Sequence, residues 1–211
     1  MSSKKFDFSL AIGGAAGQGI AAPGDVLAWI FVQRGLHLYT YNAYQSIIRG
    51  GHIFLTVRAA TEKTYSHGDG LDLLICLNQD TMDRHLKHMG PGTTAIYNSD
   101  TIEPGEAQDG VQLCSMPISE LSNNSRNKLV QNTAALGVSA YLLGMDFRVL
   151  KETLTKQFMR KGQVVVDENI NTARASYDHA IENFKPCPEA IPRGEKPKAW
   201  WAGNEALAMG G

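Results

Sequence analysis

Cysteine is scarce in this 211-residue chain and never paired. Cys76, Cys114 and Cys187 lie far apart and form no Cys-x-x-Cys couple. A scattered, odd count predicts reduced, mostly buried thiols. It also excludes an iron–sulfur cluster ligated by this chain alone, which takes about four thiolates. Charge of one sign is missing too. The 20 Lys and Arg stand against 21 Asp and Glu, so nothing electrostatic draws the chain to nucleic acid or an anionic membrane. No apolar run is long enough to span a bilayer. The basic start, Met1-Ser2-Ser3-Lys4-Lys5-Phe6, is broken by Asp7, and a glycine cluster follows its short apolar run. It reads as the lead-in to a strand rather than a signal peptide, and the expected compartment is the cytoplasm. The length suits one well-buried domain with an appendage.

Two further absences concern nucleotides. Phe6 to Ile12 alternates and then runs apolar, as a strand does, and Ile20 to Gln33 carries apolar residues at helical spacing. Between them lies Gly13-Gly14-Ala15-Ala16-Gly17-Gln18-Gly19. A strand, a glycine loop and a helix aim free backbone N–H groups at an anion, and Pro23 falls where a helix tolerates a missing N–H. No Gly-Lys-Ser/Thr follows, so this is not a P-loop. Gly14, Gly17 and Gly19 read G-x-x-G-x-G, not the dinucleotide pattern G-x-G-x-x-G. The next strand, Leu36 to Tyr41, ends without the acid that would hold a ribose. For Gly14, Gly17, Gln18 and Gly19, an anion-binding turn and a tight β–α turn without a ligand both stay open.

What the chain does have is Tyr44-Gln45-Ser46-Ile47-Ile48-Arg49-Gly50-Gly51-His52 between two apolar runs. Adjacent glycines mark backbone that turns tightly or is closely approached. The fork of Arg49 suits a carboxylate or phosphate, although a polar turn with a surface arginine would look the same.

The remainder alternates. Strands are expected at Ile53–Arg58, Leu71–Leu77, Thr93–Tyr97 and Val111–Met116, and a turn or hairpin at Thr61–Gly70. Helices are expected at Asn78–Met89, Asn127–Leu143 (with Ala134, Ala135, Gly137 and Ala140 for close packing), Phe147–Met159 and Val164–Phe184. Gly144 stops one helix and Asp146 caps the next. The pattern predicts an α/β fold, a three-layer α/β/α sandwich with a largely parallel, Rossmann-like sheet and a helical C-terminal part. Gly68-Asp69-Gly70 with a later Asn98 imitates a thiamine-diphosphate motif, but the triplet precedes its strand, where Mg²⁺ ligands would not converge. It is read as a turn. His85 and His88 have no third ligand in view and are read as surface histidines, so no metal site is expected. Lys185 to Lys198 holds four prolines and several charges, as an extended linker does. Beyond it, Trp200 and Trp201 open an apolar tail suited to a partner.

Taken together, Gly14-Ala15-Ala16-Gly17-Gln18-Gly19 and Tyr44 to His52, supported by Leu71-Asp72-Leu73-Leu74-Ile75 and Asn132, resemble the gamma subunit or domain of the 2-oxoacid:ferredoxin (or flavodoxin) oxidoreductases. The resemblance covers roughly residues 6 to 184. The form Ile48-Arg49-Gly50-Gly51-His52 is similar to that of fused gamma–alpha enzymes acting on 2-oxoglutarate or a related 2-oxoacid, and Gly203-Asn204-Glu205-Ala206 resembles the opening of their alpha domain. The resemblance implies three parts: a gamma domain over 1–184 that covers the active site, a Pro-rich linker over 185–199, and a docking tail or alpha-domain start over 200–211. It implies a reaction in which 2-oxoacid, coenzyme A and oxidised ferredoxin give acyl-CoA, CO₂ and reduced ferredoxin, run by thiamine diphosphate with Mg²⁺ and iron–sulfur clusters on partner alpha and beta subunits. It implies no cofactor bound by this chain alone, with coenzyme A the one cofactor left open to it. Tyr44, Ser46, Ile47, Ile48, Arg49, Gly50, Gly51 and His52 would face substrate, coenzyme A or the thiamine site; no residue reads as a nucleophile or base, so none is assigned as catalytic. Two rivals remain: a stand-alone coenzyme A- or nucleotide-binding regulatory module, and a nicotinamide-dependent reductase, which the glycine spacing disfavours.

Overall fold

The computed structural model describes residues 5–44, 51–125, 130–188, 191–192 and 196–198. Six strands, β1 (Asp7–Ala15), β2 (His37–Ala43), β3 (His52–Ala60), β4 (Leu73–Cys76), β5 (Thr94–Asn98) and β6 (Gln112–Met116), form one sheet in the order β2-β3-β1-β4-β5-β6. The pairs β1–β4, β4–β5 and β5–β6 are parallel, whereas β3 lies antiparallel to both β1 and β2. Only β3 therefore runs against the other five, and the sheet is the mostly parallel one expected. All four residues of β4, Leu73-Leu74-Ile75-Cys76, are buried, as they must be in a strand covered on both faces.

The helices are α1 (Ala21–Gln33), α2 (Gln79–His85, continued by a 3₁₀ turn at Leu86–His88), α3 (Ile118–Leu121), α4 (Val130–Leu142), α5 (Phe147–Phe158) and α6 (Gln163–Asn183). Side-chain alternation along the strands splits the core in two. Leu10, Ile12, Val57, Leu73 and Ile75 pack with α1, α4, α5 and α6 on one face. Ala11, Leu74, Cys76 and Ala95 meet Met82, Leu86 and Met89 from the α2 region on the other. The small residues of α4 do permit close approach: a Cβ on Gly137 would lie 2.4 Å from the Ala173 carbonyl oxygen of α6. Gly144 at φ +65° follows α4, and the Asp146 side chain accepts from the Arg148 N–H at the head of α5.

Three expectations change. Asn78 is not inside its helix but caps it, its side chain accepting from the Thr81 N–H. Thr61–Gly70 forms no hairpin. It is an irregular crossing from β3 past β1 to β4, because Arg58 pairs with Asp7 and the Ser9 N–H donates to Asp72, which ties the chain across β1. The described residues of the proline-rich stretch lie against the domain: Cys187 and Ile191 are buried in its core, and the N–H groups of Cys187 and Lys198 donate to Leu142 and Val32. The Trp200–Trp201 tail lies outside the described residues. No helix among the described residues is long and apolar enough to cross a membrane.

Candidate functional site

The helix after β1 covers one face of the sheet and the helix after β4 covers the other. Their chains therefore part at the carboxyl ends of these neighbouring strands, which is where open α/β sheets bind ligands. A crevice of about 630 Å³ lies there. Each parallel strand contributes the residues that follow it: Gly17 and Gln18 after β1, Asn78 and Gln79 after β4, Asp100 and Thr101 after β5, and Ser119 after β6. Amide and hydroxyl side chains share its described walls with apolar Leu77, Ile118 and Val130, and the Asp100 carboxylate already accepts from the Ser119 N–H at 2.7 Å. Asn98, itself in the wall, accepts from the Asp100 N–H at 3.0 Å. The first bond ties the loops after β5 and β6 together and the second tightens the loop after β5, so this wall is built before any ligand arrives.

The glycine turn forms one lip. The Ala15 N–H donates to Gln18 Oε1 at 2.6 Å, and Gln18 Nε2 donates to the Leu77 carbonyl at 3.1 Å. Asn132 of α4 reaches over to donate to the Gln18 carbonyl at 2.9 Å. The Gln18 side chain is therefore a staple between β1 and β4. Gly14 leaves room for it, since a Cβ there would lie 2.6 Å from Gln18 Oε1. Gly17 and Gly19 take φ values of +93° and +72°, which glycine alone adopts cheaply. Asn132 Oδ1 is buried without a protein partner among the described residues.

The second motif arrives beside the first. Tyr44 is exposed at the end of β2. Ser46, Ile47, Ile48, Arg49 and Gly50 lie outside the described residues. Gly51 is buried, and its carbonyl accepts from the Ala16 N–H at 3.1 Å. His52 then pairs in register with Ala15. The two motifs, some thirty positions apart in sequence, are thus bonded neighbours. The N–H groups of Ala15, Ala16 and Gln18 all serve internal bonds, so this part of the turn supports the adjoining loop.

His52 Nε2 lies 3.0 Å from His85 Nε2, and Asp80 Oδ2 is 3.4 Å from His52 Nδ1. The His85 ring stacks on Phe54 with centroids 4.0 Å apart. His85 is accordingly half-buried and not a surface histidine, while His88 is exposed. Burial, and then the charges of His52, His88 and Arg84, push His85 down to about 4 against the opposing pull of Asp80. Burial also lowers His52, with Asp80 opposing. Both rings are neutral at pH 7. Among the described residues no three His, Cys, Asp or Glu side chains are grouped to hold a metal. Asp69 and Asn98 stand at opposite ends of the parallel strands, one before β4 and the other closing β5, so the thiamine-like coincidence gathers no ligand set.

Sequence reasoning missed the crevice residues Asn78, Asn98 and Asp100. Their signal was available, since each ends a buried parallel strand or lies two residues beyond one. It had no means of finding the His52–His85 pair, whose members are thirty-three positions apart.

Residues 9–179 match the family model for pyruvate ferredoxin/flavodoxin oxidoreductase. A 2-oxoacid:ferredoxin oxidoreductase subunit alpha from a Sulfolobus species is 22% identical over 245 residues, covering 96% of this chain and 38% of its own length. This chain thus spans about 38% of the curated relatives it matches. Among solved structures, the 2-oxoglutarate:ferredoxin oxidoreductase from Magnetococcus marinus, with 2-oxoglutarate, coenzyme A and succinyl-CoA bound, superposes with a TM-score of 0.88 at 30% identity, over 99% of this chain and 37% of that one. The keto/oxoacid ferredoxin oxidoreductase gamma subunit from Geobacter sulfurreducens shares the fold, with a TM-score of 0.64 at 22% identity over 83% of this chain and 99% of its own.

Proposed function

Because this chain belongs to the pyruvate ferredoxin/flavodoxin oxidoreductase family, we propose that it is the gamma part of a 2-oxoacid:ferredoxin oxidoreductase acting on 2-oxoglutarate or a close relative. The reaction would convert 2-oxoacid, coenzyme A and oxidised ferredoxin to acyl-CoA, CO₂ and reduced ferredoxin. The observation that carries the reading is the meeting of the glycine turn and the Tyr44–His52 loop at Ala16–Gly51, on the lip of a crevice large enough for part of a coenzyme. The likeness over almost the whole chain to a 2-oxoglutarate enzyme supports the choice of substrate.

In this reading the crevice holds an uncharged portion of coenzyme A with its amides and hydroxyls, and Arg49 pairs with a phosphate or the 2-oxoacid carboxylate. Thiamine diphosphate supplies the carbanion chemistry and iron–sulfur clusters take the electrons, both on alpha and beta partners. The thiols of this chain do not fit a cluster. Cys76, Cys114 and Cys187 are all buried and free, and burial raises each of them, Cys114 to about 12, where a metal would need thiolates. No residue of this chain is assigned a bond-making step; its part is to bind, orient and cover.

Anaerobic co-purification with alpha and beta partners, followed by an assay of ferredoxin reduction over a panel of 2-oxoacids with and without coenzyme A, tests the proposal. The expected result is a stable complex with coenzyme A-dependent activity highest on 2-oxoglutarate. A chain that joins no such complex would overturn the reading.

A further inference from the structure

Beyond Gln79, helix α2 has no part in the proposed function, yet it makes a specific side-chain contact with the end of the Tyr44–His52 loop. His52 is the last residue of that loop and the first of β3. Its Nε2 meets His85, the last residue of α2, and its Nδ1 faces Asp80 one turn and a half earlier. Asp80 is itself oriented, because Arg84 Nε donates to its other oxygen at 2.7 Å. The His85 ring is held flat against Phe54, two residues along β3 from His52. Both ends of the row are therefore held from behind.

An N···N hydrogen bond needs one ring as donor and the other as acceptor. Asp80 favours the proton of His52 on Nδ1. That leaves His52 Nε2 as the acceptor and His85 Nε2–H as the donor. One added proton can still be shared between the rings, whereas two leave both Nε2 atoms as donors and break the bond.

We propose that the row Asp80–His52–His85 is a clamp that fixes the point where the Tyr44–His52 loop rejoins the sheet, which makes Asp80 and His85 positioning residues for that loop. The clamp stands on the geometry alone, and only its effect on turnover rests on the oxidoreductase reading. The charged and titratable groups around the rings are Asp80, Arg84 and His88 from α2 and its extension, with His67 and Asp69 of the 61–71 crossing lining the cavity that His85 borders. Burial and the neighbouring positive charges keep the second proton off until the pH falls towards about 4, so the clamp is closed at neutral pH.

Hydrogen exchange of the full protein tests it, reading the backbone amides of residues 51–54 against those of β4. His85→Phe keeps the stacking and removes the bond; His85→Gln restores a donor. The expected result is at least a tenfold loss of protection at 51–54 in His85→Phe, a smaller loss in Asp80→Asn, near-normal protection in His85→Gln, and no change in β4. Between pH 6 and pH 4, after correction for intrinsic rates, wild type should lose protection at 51–54 and His85→Phe should not lose more. Unaltered protection at 51–54 in His85→Phe overturns the clamp, as does an equal loss across the sheet. An intact clamp in a protein without oxidoreductase activity would sink the functional reading and leave this one standing.

Discussion

The two halves of the sheet are built differently. The strands β1, β4, β5 and β6 are parallel, and all but the edge strand β6 are largely buried, with helices on both faces. In the β2–β3 hairpin the residues of β2 are half-buried or exposed throughout, and much of the outer face is left to the 61–71 crossing and the tip of α2. Apolar burial sets local stability. The parallel half is thus a rigid frame that shapes a crevice from loops bonded to one another. The hairpin is a lighter element that carries a loop to the edge of that crevice.

The largest break should come from the frame. Ile75→Ala in β4, a fully buried strand, is expected to cost about 2–5 kcal/mol in urea unfolding. The exposed hairpin residue Tyr41 should cost less than about 1 kcal/mol when changed to Ala. Equal costs would erase the distinction. Next comes the staple at the junction. Gln18→Ala leaves the Ala15 N–H and the Leu77 carbonyl without their partner, an expected loss of about 1–3 kcal/mol, with weaker coenzyme A affinity because the lip of the crevice loosens.

A pH effect should follow in the hairpin. His52 and His85 are both depressed below the ordinary histidine value of 6.5. The unfolded chain therefore takes up protons first. The stability they lend is complete above pH 6.5 and is lost as the pH falls towards about 4. Urea titrations from pH 7 to pH 4 should show that loss in wild type and a reduced slope in His85→Phe. The smallest effect belongs to the rim: Arg58→Met removes a pair with Asp7 near the surface and should cost about 0–1 kcal/mol, less at high salt.

The same contrast governs what could be read from the sequence. Periodicity placed the strands and the longer helices of the frame within a few residues, because burial on one or both faces writes itself into spacing, but it did not show the single-turn helix α3. Both motif loops were visible because glycine and arginine are unusual between apolar runs. Strand order and the reversed direction of β3 were not visible, since pairing is decided by contacts between distant segments. Gln18 was visible as part of a turn left open between anion binding and tight packing, but that its side chain joins two strands was not. His85 looked exposed because its partners, His52 and Phe54, come from another element, and no local pattern announces such a contact.

The most direct test of the account is the rate of coenzyme A-dependent ferredoxin reduction by the assembled complex, wild type against Arg49→Ala. If the Tyr44–His52 loop serves the active site, the variant assembles and loses at least about tenfold in rate, about 1.4 kcal/mol of transition-state stabilisation. An assembled variant as active as wild type would contradict the assignment of that loop to the site.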